Sequence, residues 1–223
     1  MKYWLRYSKS GLLRFVGHLD MLQTWERILR RANVPMAFSQ GFSPRPILSL
    51  AAPLPVGLSS QAEYLELETS EAVPALVEMI APVLPQGMQV MGAARVPVGT
   101  KSLMGLFRWG DYLVQNLSKS QQELLAEQLP SFFTEKTVLQ EVKRKGGLRT
   151  VDIRPLVYSA SLEADTLNLR LALGSVANLR VEDLLRYFSL PIEMLEVSRQ
   201  ELYLEINGGL ITPFQYISGA DSK

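Results

Sequence analysis

The sequence predicts an α+β protein built from two tandem units of the same architecture. Segments with strand-like and helix-like hydrophobic spacing follow one another in the order βαββαβ, and this order occurs twice in the 223 residues. A stretch rich in Gly, Pro, Ser and Thr, Pro97–Gly105, lies between the two. Because βαββαβ is the ferredoxin-like unit, we expect a first such domain at residues 1–100 and a linker at 101–106. A second ferredoxin-like domain is expected at 107–207, followed by an irregular tail at 208–223.

Hydrophobic periodicity places the elements of the first unit. Apolar residues recur at three- and four-residue spacing after His18, which predicts a helix up to Asn33 with one buried stripe. The members of that stripe are Leu19, Leu22, Trp25, Leu29 and Ala32. Strands are expected at Lys2–Tyr7, Ile47–Ala52, Ala62–Glu68 and Gly87–Val96, and a short helix at Val73–Leu84.

The second unit is predicted in the same way. Strands are expected at Phe107–Leu117, Val138–Lys143 and Glu193–Ile206, with a hairpin over Ser159–Leu173 that turns at Ala164 and Asp165. Helices are expected at Gln121–Phe132 and Val181–Phe188. Ser118 is expected to cap the first of these helices, because its hydroxyl oxygen can accept a hydrogen bond from an N–H group that the helix leaves free.

Composition excludes several kinds of chemistry. Cysteine is absent, so the chain has no disulfide, no thiolate nucleophile and no ligand for an iron–sulfur cluster. His18 is the single histidine, so a site with several His ligands cannot form in one chain, and we expect no metal site. No apolar run has the length of a membrane span, and charges interrupt the N-terminus before a signal sequence could form. The expected location is therefore the cytoplasm.

Positive charge is concentrated near the N-terminus. Residues 1–50 contain eight Lys and Arg but only two acidic residues, whereas residues 51–142 contain five and ten. The formal net charge of +1 conceals this asymmetry. A basic segment of this kind favours an anionic partner such as a nucleic acid.

Two longer motifs carry a family resemblance. The first is Leu13–Ala32, with the sequence LRFVGHLDMLQTWERILRRA, and the second is Phe38–Gly57, with the sequence FSQGFSPRPILSLAAPLPVG. Together they resemble the bacterial radical SAM-linked protein family, a domain of unknown function whose members carry R-F-x-S-H-L-D, E-R-A-x-R-R-A and Y-S-x-G-F-N-P-H-P. The resemblance covers residues 3–100 well and the remainder loosely.

The resemblance implies a partner rather than a cofactor. Members of the family occur alone, or are joined to or encoded beside a radical SAM protein, and that protein would hold the iron–sulfur cluster and SAM. No cofactor is therefore expected in this chain. Gly17 replaces a family Ser, which removes a side-chain cap from the helix start. Arg45 replaces a family His, which favours contact with an anion over acid–base chemistry.

The first candidate site residues lie on the helix that begins near His18. His18, with Arg14 and Asp20, is either an acid–base histidine at a helix start or a histidine that packs at the turn. Arg27, Arg30 and Arg31, beside Glu26, form either an anion-binding face or a solvated one, and Glu26 and Arg30 have the spacing of an ion pair.

Two further candidates lie in loops. Gln40, Phe42 and Arg45 belong to a Gly- and Pro-containing loop in which Phe42 could stack on a base and Arg45 contact a phosphate. The alternative is a rigid turn with Phe42 in the core. A basic segment beside a Gly-Gly turn is either a phosphate-contacting finger or a solvated hairpin tip. Its charged members are Lys143, Arg144, Lys145 and Arg149.

The candidate residues favour binding of RNA, either tRNA or rRNA, and the family resemblance implies a non-catalytic accessory protein that associates with a radical SAM enzyme. The first alternative is a protein-interaction module that presents the substrate of that enzyme without binding nucleic acid. The second is a metal-independent endoribonuclease that uses His18, the one residue we consider as a candidate catalytic group.

Overall fold

The computed structural model describes residues 1–144 and 146–220 as a mixed α+β protein with a large, mostly antiparallel sheet and several helices. The predicted α+β class is therefore confirmed. The chain divides into two compact units: unit 1 is Met1–Phe107 together with the chain from Leu202 onward, and unit 2 is Arg108–Glu201. The chain thus returns to unit 1 at its end, which the order of elements along the sequence did not predict.

The sheet of unit 1 contains four strands from the first half of the chain. Strand β4 pairs with β1, β1 with β3 and β3 with β2, and each of these pairs is antiparallel. The strands are β1 (Lys2–Lys9), β2 (Leu48–Leu50), β3 (Ser59–Glu68) and β4 (Met88–Arg95), and the helices are α1 (His18–Arg31), α2 (Leu76–Ile80) and α3 (Leu103–Leu106).

Helix α1 covers one face of this sheet. Trp25 is completely buried, and its ring lies 4.9 Å from the ring of Tyr7 on β1. The buried stripe contains Met21, Trp25, Ile28, Leu29 and Ala32. Leu19, which we placed in that stripe, is 71% exposed, so this part of the prediction is wrong. At about 100° per residue, Leu19 lies roughly 120° around the helix from Trp25 and Met21 only about 40°.

The end of the chain covers the other face of the sheet in unit 1. Strand β11 (Gly209–Ile211) pairs with the last residues of strand β10 (Glu196–Ile206), and helix α6 (Pro213–Ala220) follows. The ring of Tyr216 lies 6.1 Å from that of Trp4, and the ring of Phe214 lies 6.1 Å from that of Tyr64. The segment expected to be an irregular tail is therefore ordered as far as Ala220, because its aromatic side chains pack on the sheet. Residues 221–223 of that tail lie outside the described residues.

Unit 2 contains a second set of strands and two helices. Strand β9 pairs with both β5 and β8, antiparallel in each case, whereas β6 and β7 form a separate two-stranded ribbon. The elements are β5 (Phe107–Gln115), α4 (Lys119–Thr134), β6 (Leu139–Arg144), β7 (Gly147–Asp152), β8 (Val157–Glu163), β9 (Thr166–Ala172) and α5 (Val181–Tyr187).

Two local predictions for unit 2 are confirmed. Ser118 caps α4, because its hydroxyl oxygen accepts a hydrogen bond from the backbone N–H of Gln121 at 3.3 Å. The side chain of Gln121 accepts in return from the backbone N–H of Ser118 at 2.8 Å, which completes a capping box. The β8–β9 hairpin turns at Ala164 and Asp165, as expected. None of the helices in the described part of the chain has the length and apolar character needed to cross a bilayer.

Candidate nucleic-acid interface

The last two turns of α1 present three arginines to solvent. Arg27, Arg30 and Arg31 are all exposed, and their three- and four-residue spacing places them side by side on the helix. We call these three residues the arginine face. Among residues 1–144 and 146–220, no carboxylate lies within ion-pair distance of any of them. The expected pair between Glu26 and Arg30 is therefore not formed, and all three guanidinium groups are available to an external anion.

After α1 the chain forms a loop whose two ends are joined by hydrogen bonds. The backbone N–H of Ile47 donates to the carbonyl of Ala37 at 2.9 Å, and the N–H of Ser39 donates to the carbonyl of Arg45 at 2.9 Å. The N–H of Arg45 donates back to the Ser39 hydroxyl at 3.1 Å. The N–H of Glu68, at the end of β3, donates to the carbonyl of Ile47 at 2.9 Å and so fixes the base to the sheet. We call residues 39–45 the tip loop.

The tip loop presents an aromatic ring to water. Phe42 is completely exposed, so the interpretation that placed Phe42 in the core is wrong. Gln40 and Arg45 are exposed as well, and Gly41 has φ 130°, a value that disfavours other residues. A large apolar side chain at the tip of a loop with a hydrogen-bonded base gains nothing for the fold. The ring is therefore open to contact with a ligand, and a base could stack on it.

Arg14 and His18 form a separate group at the other end of α1. With a rise of about 1.5 Å per residue, the 14 residues of the helix place His18 roughly 20 Å from Arg31 along the axis. The Arg14 guanidinium carbon lies 4.8 Å from the centre of the Phe15 ring, and the Arg14 carbonyl accepts from the N–H of Gly57 at 2.8 Å. His18 is half-buried, and its ring makes no hydrogen bond to any residue that the structure describes.

The basic segment of unit 2 does not form one cluster. Arg144 donates to Asp183 at 2.8 Å, and the Asp183 side chain is only 4% exposed, so Arg144 is part of an internal ion pair. Lys143 and Arg149 are exposed, but they lie on different faces of the β6–β7 ribbon. Lys143 pairs across the ribbon with Leu148, and Arg149 pairs with Val142. Paired residues share a face and successive residues alternate between faces, so the two cations point in opposite directions. Lys145 lies outside the described residues. Lys143 and Arg149 are thus the two cations of this segment whose side chains are open to a ligand in the described structure.

Metal-binding side chains do not converge in the described part of the chain. No group of three or more His, Asp or Glu residues within it is arranged to hold a metal ion. The chemistry that the exposed groups offer is instead electrostatic attraction by guanidinium groups and stacking by an aromatic ring.

The fold and these surfaces define a mixed α+β protein that presents exposed arginines and an exposed aromatic ring on one of its two units. The chain belongs to a family described as "uncharacterized protein conserved in bacteria" (DUF2344), whose model matches residues 2–181. The matched range includes the arginine face, the tip loop and the β6–β7 ribbon. No curated protein matches the chain in sequence.

One similar solved structure is a chain in the crystal structure of a Cbf5-Nop10-Gar1 complex, with 13% sequence identity and a TM-score of 0.43. The similarity covers 90% of this chain and 48% of that chain, so this chain spans about half of its length. A similarity this distant carries no argument about ligand or activity.

Proposed function

We propose that this protein binds RNA through the arginine face and the tip loop, and that it does so as a non-catalytic accessory to a radical SAM enzyme. The observation that carries the RNA proposal is the complete exposure of Phe42 on a loop whose base is hydrogen-bonded to the sheet. Helix α1, which precedes that loop in the chain, supplies three exposed arginines. Single-stranded tRNA or rRNA segments are the class of ligand that these groups fit.

Phosphates are the natural ligands of the arginine face. Three neighbouring guanidinium groups without acidic partners in the described structure attract a phosphate chain and release the counterions bound to it. Arg45 adds a fourth exposed cation on the tip loop. Guanidinium groups can also form two parallel hydrogen bonds with one phosphate, which ammonium groups cannot.

The phenyl ring adds a preference for unpaired bases. Stacking of one base on an aromatic side chain contributes about 1–3 kcal/mol, and it requires a base that is not already stacked in a duplex. We therefore expect single-stranded RNA and RNA loops to bind more tightly than duplex RNA. The loss of Phe42 should lower the affinity for single-stranded RNA by roughly 5- to 150-fold, which is the same energy expressed as a ratio.

The finer fold assignment is also part of the proposal. The strand order β4-β1-β3-β2 in unit 1, with every pair antiparallel, supports a ferredoxin-like arrangement there. The order β5-β9-β8 supports a related arrangement in unit 2, with the β6–β7 ribbon inserted after α4. The association with a radical SAM enzyme rests on the motifs in Leu13–Ala32 and Phe38–Gly57, and recovery of such an enzyme with the tagged protein under anaerobic conditions tests it.

A direct test of RNA binding is fluorescence anisotropy with a fluorescein-labelled single-stranded 12-nucleotide RNA and a duplex of the same sequence. We expect the triple variant Arg27→Gln, Arg30→Gln, Arg31→Gln and the variant Phe42→Ala to weaken binding of the single strand by at least fivefold each. Lys101→Gln, which removes an exposed cation elsewhere in unit 1, is the matched control and should bind as the wild type does. Equal binding by all four proteins would refute the proposed interface.

A further inference from the structure

Strand β4 lies at the edge of the sheet of unit 1, and its outer side pairs with no strand of the described residues. Among the described residues β4 pairs only with β1, so one row of its backbone N–H and C=O groups is not used by a neighbouring strand. The segment Met88–Ala94 contains neither a charged residue nor a proline. Edge strands are usually protected by charges, prolines or bulges, and of these Met88–Ala94 has one, a bulge at Met91 between the partners of Arg6 and Tyr7. Its edge is therefore suited to pair with another strand.

Two clefts border this strand at successive positions. A cleft of about 1100 Å³ is lined by Gln89, Val90 and Met91 of β4 and by apolar residues that include Leu12 and Leu84. A second cleft, of about 410 Å³, is lined by Ala93 and Arg95 of β4 and by residues of and beside α2. Proteins that bind peptides by strand addition use this combination, because the backbone edge supplies hydrogen bonds and neighbouring pockets accept alternate side chains.

The residues along β4 define the chemistry of an occupant. The uncharged segment Met88–Ala94 fits a peptide without charges in its body. Arg95 is exposed at the end of the strand, and no acidic group in the described residues forms an ion pair with it, although Glu78 lines the same cleft. A second copy of β4 would leave Arg95 unmatched, because Met88–Arg95 contains no acidic residue. A segment of another protein that is uncharged along Met88–Ala94 and carries a carboxylate at the end that faces Arg95 satisfies both requirements.

We propose that the β4 edge binds an extended peptide segment of a partner protein, with apolar side chains at alternate positions and a carboxylate at the end that faces Arg95. This site is independent of the proposed RNA interface. The strand order β4-β1-β3-β2 places β4 and β2 at opposite edges of the sheet in unit 1, about 14 Å apart at roughly 4.8 Å per strand. The tip loop leads into β2, so RNA and peptide would not compete.

The test begins with a library of random nine-residue peptides displayed on phage and selected on the full-length protein. We expect enriched peptides to alternate apolar and polar residues and to carry Asp or Glu near one end. Fluorescein-labelled synthetic versions should bind with micromolar affinity, and Met91→Lys and Arg95→Glu should each weaken that binding at least tenfold. Leu148→Lys, which changes an exposed leucine of unit 2, should leave it unchanged. Methylation of alternate backbone nitrogens in the peptide should also weaken binding at least tenfold.

Several results would overturn the proposal. These are the absence of any enriched peptide, binding that Met91→Lys and Arg95→Glu leave unchanged, and binding that survives backbone methylation. Analytical ultracentrifugation that shows a dimer of the wild type, abolished by Met91→Lys, would assign the edge to a second copy of this chain instead. Because the RNA 12-mer should bind Met91→Lys and wild type equally, failure of the peptide site and failure of the RNA interface are distinguishable.

Discussion

Asp183→Asn should destabilise unit 2 through the loss of a buried ion pair. The carboxylate of Asp183 is 4% exposed and accepts from Arg144 at 2.8 Å and from Arg186 at 3.1 Å. The side chain of Arg144 is 23% exposed, whereas that of Arg186 is 58% exposed and its contact is screened by solvent. Removal of one partner from a buried pair costs about 3–5 kcal/mol. Asn retains one acceptor for Arg144, so we expect a loss near the lower limit, about 3 kcal/mol.

Thermal unfolding followed by circular dichroism measures this loss. For a chain of this size, about 3 kcal/mol corresponds to a decrease of the midpoint by roughly 6–12 °C. Hydrogen exchange should also accelerate in the β6–β7 ribbon, because Arg144 lies on β6 and Asp183 on α5. Glu141→Gln, an exposed change on the same ribbon, is the control and should leave the midpoint unchanged. A midpoint for Asp183→Asn within 2 °C of the wild type would refute the assignment of Arg144 to an internal ion pair.

Further predictions follow from other residues. Pro130 interrupts the interior of α4 and cannot donate to the carbonyl four residues earlier, so Pro130→Ala should stabilise the protein by about 1–3 kcal/mol in urea unfolding; a loss of stability would contradict this reasoning. Arg144→Ala should lower the unfolding midpoint and leave the RNA affinity of the folded protein unchanged; a loss of affinity with an unchanged midpoint would show that Arg144 is free to bind. RNA incubated with wild type or with His18→Ala should remain equally intact on a denaturing gel, and cleavage that only the wild type performs would establish the endoribonuclease alternative.

The sequence predicted those features of the fold that depend on residues close to one another along the chain. The capping box at Ser118 and Gln121 and the hairpin turn at Ala164 depend on residues that are close in sequence, and both were predictable. The packing of Phe214 and Tyr216 on the sheet of unit 1 joins residues more than 120 positions apart, so periodicity along the chain could not reveal it. For the same reason the segment from residue 208 onward was expected to be irregular.

The candidate site was predictable in its composition but not in its geometry. The spacing of Arg27, Arg30 and Arg31 correctly placed them on the polar side of α1. The exposure of Phe42 was one of two alternatives that the sequence left open, because an aromatic residue in a Gly- and Pro-containing loop packs inward in many proteins. The ion pair of Arg144 with Asp183 joins residues 39 positions apart, so sequence alone left Arg144 in the basic cluster. The edge position of β4 follows from the order of the strands in the sheet, and that order could not be predicted from the sequence alone.

The salt dependence of RNA binding is the most direct test of the central claim. The arginine face and Arg45 supply four exposed cations in unit 1, and each phosphate contact on a single strand changes the logarithm of the association constant with the logarithm of salt by about −0.7. We therefore expect a slope of roughly −2.8 for the wild type with the 12-mer, and of about −0.7 for the triple variant Arg27→Gln, Arg30→Gln, Arg31→Gln. The same slope for both proteins, or binding that does not respond to salt, would contradict an RNA interface on α1.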